Sequence, residues 1–174
     1  MPQPSRWLER ELARERARVA FYAAGGPCKI GETASQTGCR PNRDTPFFHA
    51  TNAEFEDFDD AKIGSTTDSG FLGRGFYFST DKKVGGTAFK RTMERKLHIE
   101  KPLELSYPKW GADKNKLVRD ALGLPKEATP AEVTAAAKSL GYDAVFLSYS
   151  PVGYHHTEAV VFDTKTIKRS EESK

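Results

Sequence analysis

Residues 70–80 read GFLGRGFYFST, and the rest of the chain is best interpreted outward from them. The first half of this stretch places Gly70, Gly73 and Gly75 within six residues, a density that favours a tight turn or a close approach of another group to the backbone. The aromatic run at 76–78 that follows predicts a strand. Taken alone, a glycine-rich loop that leads into a strand is typical of an ordinary hairpin, so its meaning depends on the sequence around it.

Strands dominate the surrounding sequence and the predicted helices are short, which predicts an α+β fold. Apolar and aromatic runs indicate strands, whereas capping residues and apolar spacing of three to four indicate helices. The predicted strands cover 47–52, 76–78, 97–99, 101–105, 142–147 and 158–163, and the predicted helices cover 81–96, 114–122 and 129–140.

A run of acidic residues at 54–60 encloses Phe55 and Phe58. We expect the two phenylalanines in the core and the acids on a solvated face. A metal site is the sharper alternative, but consecutive carboxylates repel one another without a fixed geometry, so no metal is expected.

Glu158 stands at the start of an apolar strand, where its carboxylate would lie beside a dehydrated wall. Two unit charges a few ångströms apart attract by about 1 kcal/mol in bulk water and several-fold more in a cleft. Such a carboxylate could stabilise a cation formed beside it, or it could simply face solvent at the end of the strand. The glycine-rich stretch precedes a strand instead of following one, which excludes a dinucleotide-binding turn.

Three stretches together resemble the signature strands of the ADP-ribosyltransferases. They are FHATN at 48–52, the glycine-rich stretch at 70–80 and EAVVFD at 158–163, supported by the strand entry LGYDAV at 140–145. The pattern resembles the His-Tyr-Glu branch, which includes the poly-ADP-ribose polymerases and diphtheria-type toxins. Within it, the chain is similar to the short bacterial and phage-borne transferases of polyvalent proteins. The resemblance covers about residues 46–168.

The resemblance implies a split β-sandwich whose cleft holds NAD⁺ as the substrate, with no metal. It implies that His49 hydrogen-bonds the adenosine ribose and that the backbone of Ala50 meets the nicotinamide carboxamide. Tyr77 would pack against the nicotinamide ring, with Phe89 as a second aromatic, and Glu158 would be the catalytic acid residue. The candidate catalytic residues are therefore Glu158, His49 and Tyr77, and the candidate NAD⁺-binding residues are His49, Ala50, Thr51, Gly75, Tyr77 and Phe89.

The implied activity is mono-ADP-ribosyl transfer from NAD⁺ to a protein or nucleic-acid acceptor, as a bacterial or phage toxin or effector. An NAD⁺ glycohydrolase and an inactive ADP-ribosyl-fold binding module are the alternatives. Ala50 replaces a common glycine, and residues 85–87 (GGT) replace the usual carboxamide-binding serine, which leaves the binding module open. His156 stands where arginine-modifying members carry Glu or Gln, so arginine is a less favoured acceptor. His155 or His156 could act as a general base for another acceptor.

The composition is that of a globular domain of 174 residues, with 37% hydrophobic and 29% charged side chains. A net charge of +3 permits an anionic ligand or nucleic acid without requiring either. No apolar run is long enough to span a membrane. Arg6, Glu9, Arg10 and Glu11 stand where a signal peptide needs an apolar core. We expect a cytoplasmic protein, of the producing or a host cell, without a signal peptide or membrane contact.

The N-terminal region carries a predicted helix over residues 5–24, with Arg6, Arg10, Arg14 and Arg18 forming a basic stripe. The stripe is either a solvated face or a docking strip for phosphates or an acidic protein partner, such as an antitoxin.

We divide the chain into a basic helix and loop at 1–45, a catalytic domain at 46–168 and a tail at 169–174. Cys28 and Cys39 lack metal-ligand spacing, and we expect two free thiols, since a disulfide would need an oxidising compartment.

Overall fold

The structure is a computed structural model that describes residues 6, 9–12, 14, 41–64, 70–83, 87–149, 152 and 156–170. The residues described at the N-terminus are helical. The rest of the predicted helix at 5–24 lies outside the described residues, as do Cys28 and Cys39. None of the helices formed by described residues is long and apolar enough to cross a membrane.

The described residues form a mixed α+β fold around a seven-stranded sheet, which confirms the predicted class. The strands are β1 (Pro46–Thr51), β2 (Phe76–Ser79), β3 (Arg91–Leu97), β4 (Pro102–Ser106), β5 (Ala144–Ser148), β6 (Thr157–Val161) and β7 (Ile167–Arg169). Their order across the sheet is β4-β5-β6-β2-β1-β3-β7. Neighbours are antiparallel except β4 and β5, which are parallel. Two α-helices lie between β4 and β5: α1 (Lys114–Leu122) and α2 (Pro130–Ser139).

The two helices begin and end as their sequence signals predict. Asp113 caps α1 by accepting hydrogen bonds from the first-turn amides, and Gly123 ends it in the left-handed conformation. Thr129 and Glu132 form a reciprocal capping box at the start of α2, where Pro130 takes the first helical position. These local bonds satisfy backbone groups that no helix can satisfy within itself.

The predicted helix at 81–96 is wrong, because β3 occupies Arg91–Leu97. Met93 and Leu97 are the buried residues of this strand and lie four positions apart. That spacing fits one face of a helix, but it is also a multiple of two and therefore fits one face of a strand. Pairing decides between them, since β3 forms a six-pair antiparallel ladder with β1 and also pairs with β7. The predicted strand at 97–99 is likewise wrong beyond Leu97.

The sheet buries a core on each face. On one face, α1 and α2 cover a cluster that includes Val118, Val133 and Val160. On the other face, Phe76, Phe78 and other side chains form a largely aromatic cluster. Residues alternate between the two clusters along β6, as the two-residue period of a strand requires. The side chain of Glu158 therefore projects toward the same face as that of Val160.

The sheet is nearly interrupted between β1 and β2. The two strands share a single register pair, Phe48 opposite Ser79, whereas β2 forms four pairs with β6. At this gap the His49 side chain reaches the backbone carbonyl of Tyr77, with Nδ1 and the oxygen 2.7 Å apart. A side chain thus replaces part of the ladder, and the sheet opens there.

Part of the basic stripe packs against the end of α1. The Arg14 guanidinium donates to the carbonyl of Ala121 at 3.2 Å and forms an ion pair with Glu11. Arg10 lies beside Gly123, which ends that helix. Cations at a helix C-terminus are favoured by the helix dipole. These two arginines are therefore used within the molecule, while Arg18 lies outside the described residues.

The close packing of Gly75 against β6 can be tested by substitution. A Cβ atom there would overlap the carbonyl oxygen of Val161 on the neighbouring strand. Because backbone atoms cannot turn away as a side chain can, we expect Gly75→Ala to lower the free energy of unfolding by about 1–3 kcal/mol. Urea denaturation measures this loss. An unchanged unfolding midpoint would contradict the close packing of β2 on β6.

Candidate active site

A cavity of about 580 Å³ opens beside β1 and β2, at the near-interruption of the sheet. Its lining draws on β1, β2, the start of β6 and the segment 53–64. The structure brings every residue of the predicted site to this one cavity. They are His49, Ala50, Thr51, Gly75, Tyr77, Phe89 and Glu158.

His49 is a neutral imidazole with a defined tautomer. The carbonyl of Tyr77 can only accept, so Nδ1 carries the hydrogen and Nε2 is left as an acceptor. Burial lowers the pKa of His49 below its ordinary value, an effect opposed by the bond to Tyr77 and reinforced by the positive charge of Arg95. At neutral pH the side chain therefore offers a hydrogen-bond acceptor to a ligand.

The ring of His49 is held by an aromatic wall. Phe58 meets it edge-on, with ring centroids 5.1 Å apart, and Phe55 and Phe78 lie at 6.1 and 5.4 Å. We predicted Phe55 and Phe58 as core, but both are only half-buried and line the cavity. The acids around them, predicted to face solvent, contribute Glu54, Asp57 and Asp59 to the same lining.

Tyr77 ties the glycine-rich loop to β2. Its hydroxyl donates to the carbonyl of Gly73 at 2.7 Å and accepts from the amide of Leu72 at 3.0 Å. Gly70 and Gly73 have φ values of 65° and 113°, which residues other than glycine rarely adopt. The loop conformation thus depends on two left-handed glycines and one tyrosine hydroxyl.

Glu158 lies at the start of β6, opposite Ser79, with its side chain 20% exposed. Its Oε2 accepts two hydrogen bonds, from the Tyr149 hydroxyl at 2.5 Å and from the Lys114 ammonium at 3.0 Å. Burial, followed by the negative charge of Glu158, raises the pKa of the Tyr149 hydroxyl above its ordinary value. Tyr149 therefore stays protonated and donates.

Sequence reasoning missed both Lys114 and Tyr149. One signal was available for Lys114, which occupies the first position of α1, where the helix dipole disfavours a cation. Tyr149 follows directly after β5 and has the same parity as Leu147, which pairs with Glu158. Its position near Glu158 can be predicted only when the pairing of β5 with β6 is known.

His156 is packed inside the protein, only 4% exposed. Its ring stacks on Tyr149 at 4.9 Å, and its Nδ1 lies 2.9 Å from the hydroxyl oxygen of Ser79. This placement argues against the predicted general base for an acceptor, because a base must reach the proton that it takes. The alternative, His155, lies outside the described residues.

Phe89 lies at the mouth of the cavity with 41% of its surface exposed. The predicted helix does not include it in the structure, because the described residues before β3 form turns, bends and irregular backbone. Ala50 sits within the β1–β3 ladder opposite Thr92, which also lines the cavity. Gly85 and Gly86, at the position of the missing serine, lie outside the described residues.

Comparison with known families places most of the chain in a described family. The family model described as "ADP-Ribosyltransferase in polyvalent proteins" matches residues 43–174, about three quarters of the chain. Among curated proteins, none matches this sequence.

Within the part of the chain that the structure describes, no three His, Cys, Asp or Glu side chains are grouped to hold a metal ion.

The burial of His156 predicts that the stability of the fold depends on pH. Burial, opposed by Glu158 and Asp81 and reinforced by Lys114, lowers its pKa from 6.5 to about 4 in the folded protein. The unfolded chain therefore binds this proton first as the pH falls, so the stabilisation is complete above about pH 6.5 and is lost toward pH 4. The loss from this residue is at most about 3 kcal/mol.

Thermal melting between pH 7 and pH 4 measures this dependence in the wild type and in His156→Asn. We expect a shallower pH dependence in the variant, with a remainder from His49, whose pKa is also lowered. Identical slopes for the two proteins would contradict a buried, neutral His156.

Proposed function

This chain belongs to the ADP-ribosyltransferase family of polyvalent proteins, and we propose that it cleaves NAD⁺ and transfers one ADP-ribose unit to a macromolecular acceptor. The family is one of transferases that use NAD⁺ as substrate. The bond cleaved is that between nicotinamide and ribose, and the acceptor is a protein or a nucleic acid. We assign the chain to the His-Tyr-Glu branch and place its catalytic domain at residues 46–168.

One observation carries this proposal. His49, Tyr77 and Glu158 come from three neighbouring strands and line a single cavity at the interruption of the sheet. A cavity of about 580 Å³ is within the range of small-molecule sites. Its wall combines aromatic rings with a neutral imidazole and a carboxylate.

The side chains are suited to holding a dinucleotide. The unprotonated Nε2 of His49 would accept a hydrogen bond from a hydroxyl of the adenosine ribose. The backbone around Ala50 and Thr51 would meet the nicotinamide carboxamide, and the backbone of Gly75 would line the cavity beside the ligand. Tyr77 and Phe89 would pack against the nicotinamide ring, since flat aromatic surfaces hold a flat ring at low entropic cost.

Glu158 would supply the main electrostatic contribution to cleavage. As the C–N bond breaks, its electron pair leaves with nicotinamide, and positive charge develops on the ribose. A carboxylate that accepts a hydrogen bond from the 2′-hydroxyl of that ribose stabilises the charge. The nucleophilic atom of the acceptor then bonds to the anomeric carbon and releases its proton.

The biological setting that we propose is that of a bacterial or phage toxin or effector acting in the cytoplasm of the producing or a host cell. The resemblance of the chain to phage-borne transferases supports this setting. A partner such as an antitoxin would bind the N-terminal helix, on arginines other than those engaged with α1.

Glu158→Gln tests the activity. The change keeps the shape of the side chain and removes its charge, so we expect NAD⁺ turnover to fall by about 10²–10³-fold. The matched control is Glu94→Gln, an exposed carboxylate of β3 outside the cavity lining. Nicotinamide release from labelled NAD⁺ gives the rates. Wild-type turnover by Glu158→Gln would contradict the proposal.

The same labelled NAD⁺, incubated with cell lysate, identifies the acceptor. Label on a macromolecule that is lost with Glu158→Gln supports transfer, and its removal by protease or by nuclease gives the acceptor class. Free ADP-ribose without labelled macromolecules would instead indicate an NAD⁺ glycohydrolase.

Phe89→Ala tests the ligand pose. An aromatic packing interaction contributes about 0.5–1.5 kcal/mol, so we expect the KM for NAD⁺ to rise about 3-fold to 10-fold without loss of thermal stability. Leu140→Ala is the control, because Leu140 is similarly exposed at 38% but lies outside the cavity lining. Equal KM values for the two variants would place the nicotinamide elsewhere.

A further inference from the structure

We propose that Lys114 and Tyr149 are positioning residues that hold the Glu158 carboxylate for ADP-ribose transfer. The inference rests on the proposed function and extends it to two residues that belong to none of the sequence motifs described above. Neither side chain lines the cavity, whereas Glu158 does. Glu158 therefore lies at the boundary, with the two donors behind it and the cavity in front.

Both donors bind the same oxygen of the carboxylate. The Tyr149 hydroxyl and the Lys114 ammonium lie 2.5 Å and 3.0 Å from Oε2. Rotation of the carboxylate would break both bonds, so its orientation is fixed. Oε1 is then the oxygen available to accept a ribose hydroxyl from the cavity side.

Lys114 is itself held in place. Its ammonium lies 5.1 Å from the centroid of the Tyr149 ring and 5.8 Å from that of Phe71, distances at which the face of an aromatic ring attracts a cation. The side chain is only 27% exposed. A lysine in the first turn of α1 opposes the helix dipole, so its contacts with Glu158 and the two rings must offset that cost.

Tyr149 is supported by its own neighbours. Its ring stacks on His156 and packs against Tyr107, with centroids 4.9 Å apart in each case. His156 is in turn fixed to Ser79, the residue opposite Glu158 in the β2–β6 pair. These contacts form a continuous chain from Glu158 through Tyr149 and His156 to Ser79, which pairs with Glu158. Such a chain keeps the carboxylate in one orientation before the reaction begins.

The expected consequence is a loss of rate without a loss of substrate binding. A fixed carboxylate contributes only when charge develops on the ribose, so Lys114→Met and Tyr149→Phe should lower kcat and leave the KM for NAD⁺ nearly unchanged. Loss of one charge-assisted hydrogen bond corresponds to about a 10-fold to 100-fold decrease. Lys114→Arg restores a donor and a cation, so it should recover part of the rate.

A double-mutant cycle distinguishes positioning from a structural role. In the Glu158→Gln background the carboxylate is absent, so adding Lys114→Met or Tyr149→Phe should lower the rate no further. The control is Lys116→Met, which removes a lysine of the same helix whose ion pair with Asp120 is exposed. It should leave kcat unchanged, and thermal melting of every variant reports on folding.

The outcomes separate the two proposals. If Glu158→Gln loses turnover while Lys114→Met and Tyr149→Phe keep the wild-type kcat, the positioning role is overturned and the proposed function stands. Losses that multiply with that of Glu158→Gln would also overturn it, because they would reflect a general structural effect. Wild-type turnover by Glu158→Gln would overturn the proposed function and this inference together.

Discussion

The hydrogen bond from His49 to the carbonyl of Tyr77 is the contact on which the site depends. It crosses the only stretch of the described sheet order where neighbouring strands share a single register pair. A buried carbonyl left without a donor costs about 1–3 kcal/mol, so a side-chain donor at this point stabilises the opened arrangement of the two strands. The imidazole of His49 supplies this donor where β1 and β2 share one register pair, beside the cavity.

The same bond sets the chemistry that the cavity offers. It fixes the hydrogen of His49 on Nδ1, and burial keeps the ring neutral. On the β6 side, the carboxylate of Glu158 forms an ion pair with the Lys114 ammonium. The cavity therefore has an uncharged polar group near β1 and an ionic one at β6. This division suits a ligand with a neutral ribose at one end and a developing cation at the other.

Much of the fold followed from local sequence. The caps at Asp113, Thr129 and Gly123 are formed by residues close to the groups that they satisfy, so the helix boundaries were predictable. The strand β3 was not, because the helix prediction rested on the three-to-four-residue spacing of Val84, Ala88, Phe89 and Met93, which runs into the strand. This segment is a strand because it pairs with β1 and β7. The sequence of β3 does not indicate which strands it will pair with.

Sequence patterns were enough for the α+β class, the helices α1 and α2, the glycine-rich turn and, through the family resemblance, seven of the residues that line the cavity. The folded structure was needed to show how Glu158 is held, which ring nitrogen of His49 bonds to the backbone, and that His156 is packed inside. The physical reason is distance along the chain. Lys114 and Glu158 are 44 positions apart, and their contact depends on where α1 begins relative to β6. That relation is set by strand order and packing, which periodicity and capping signals do not encode.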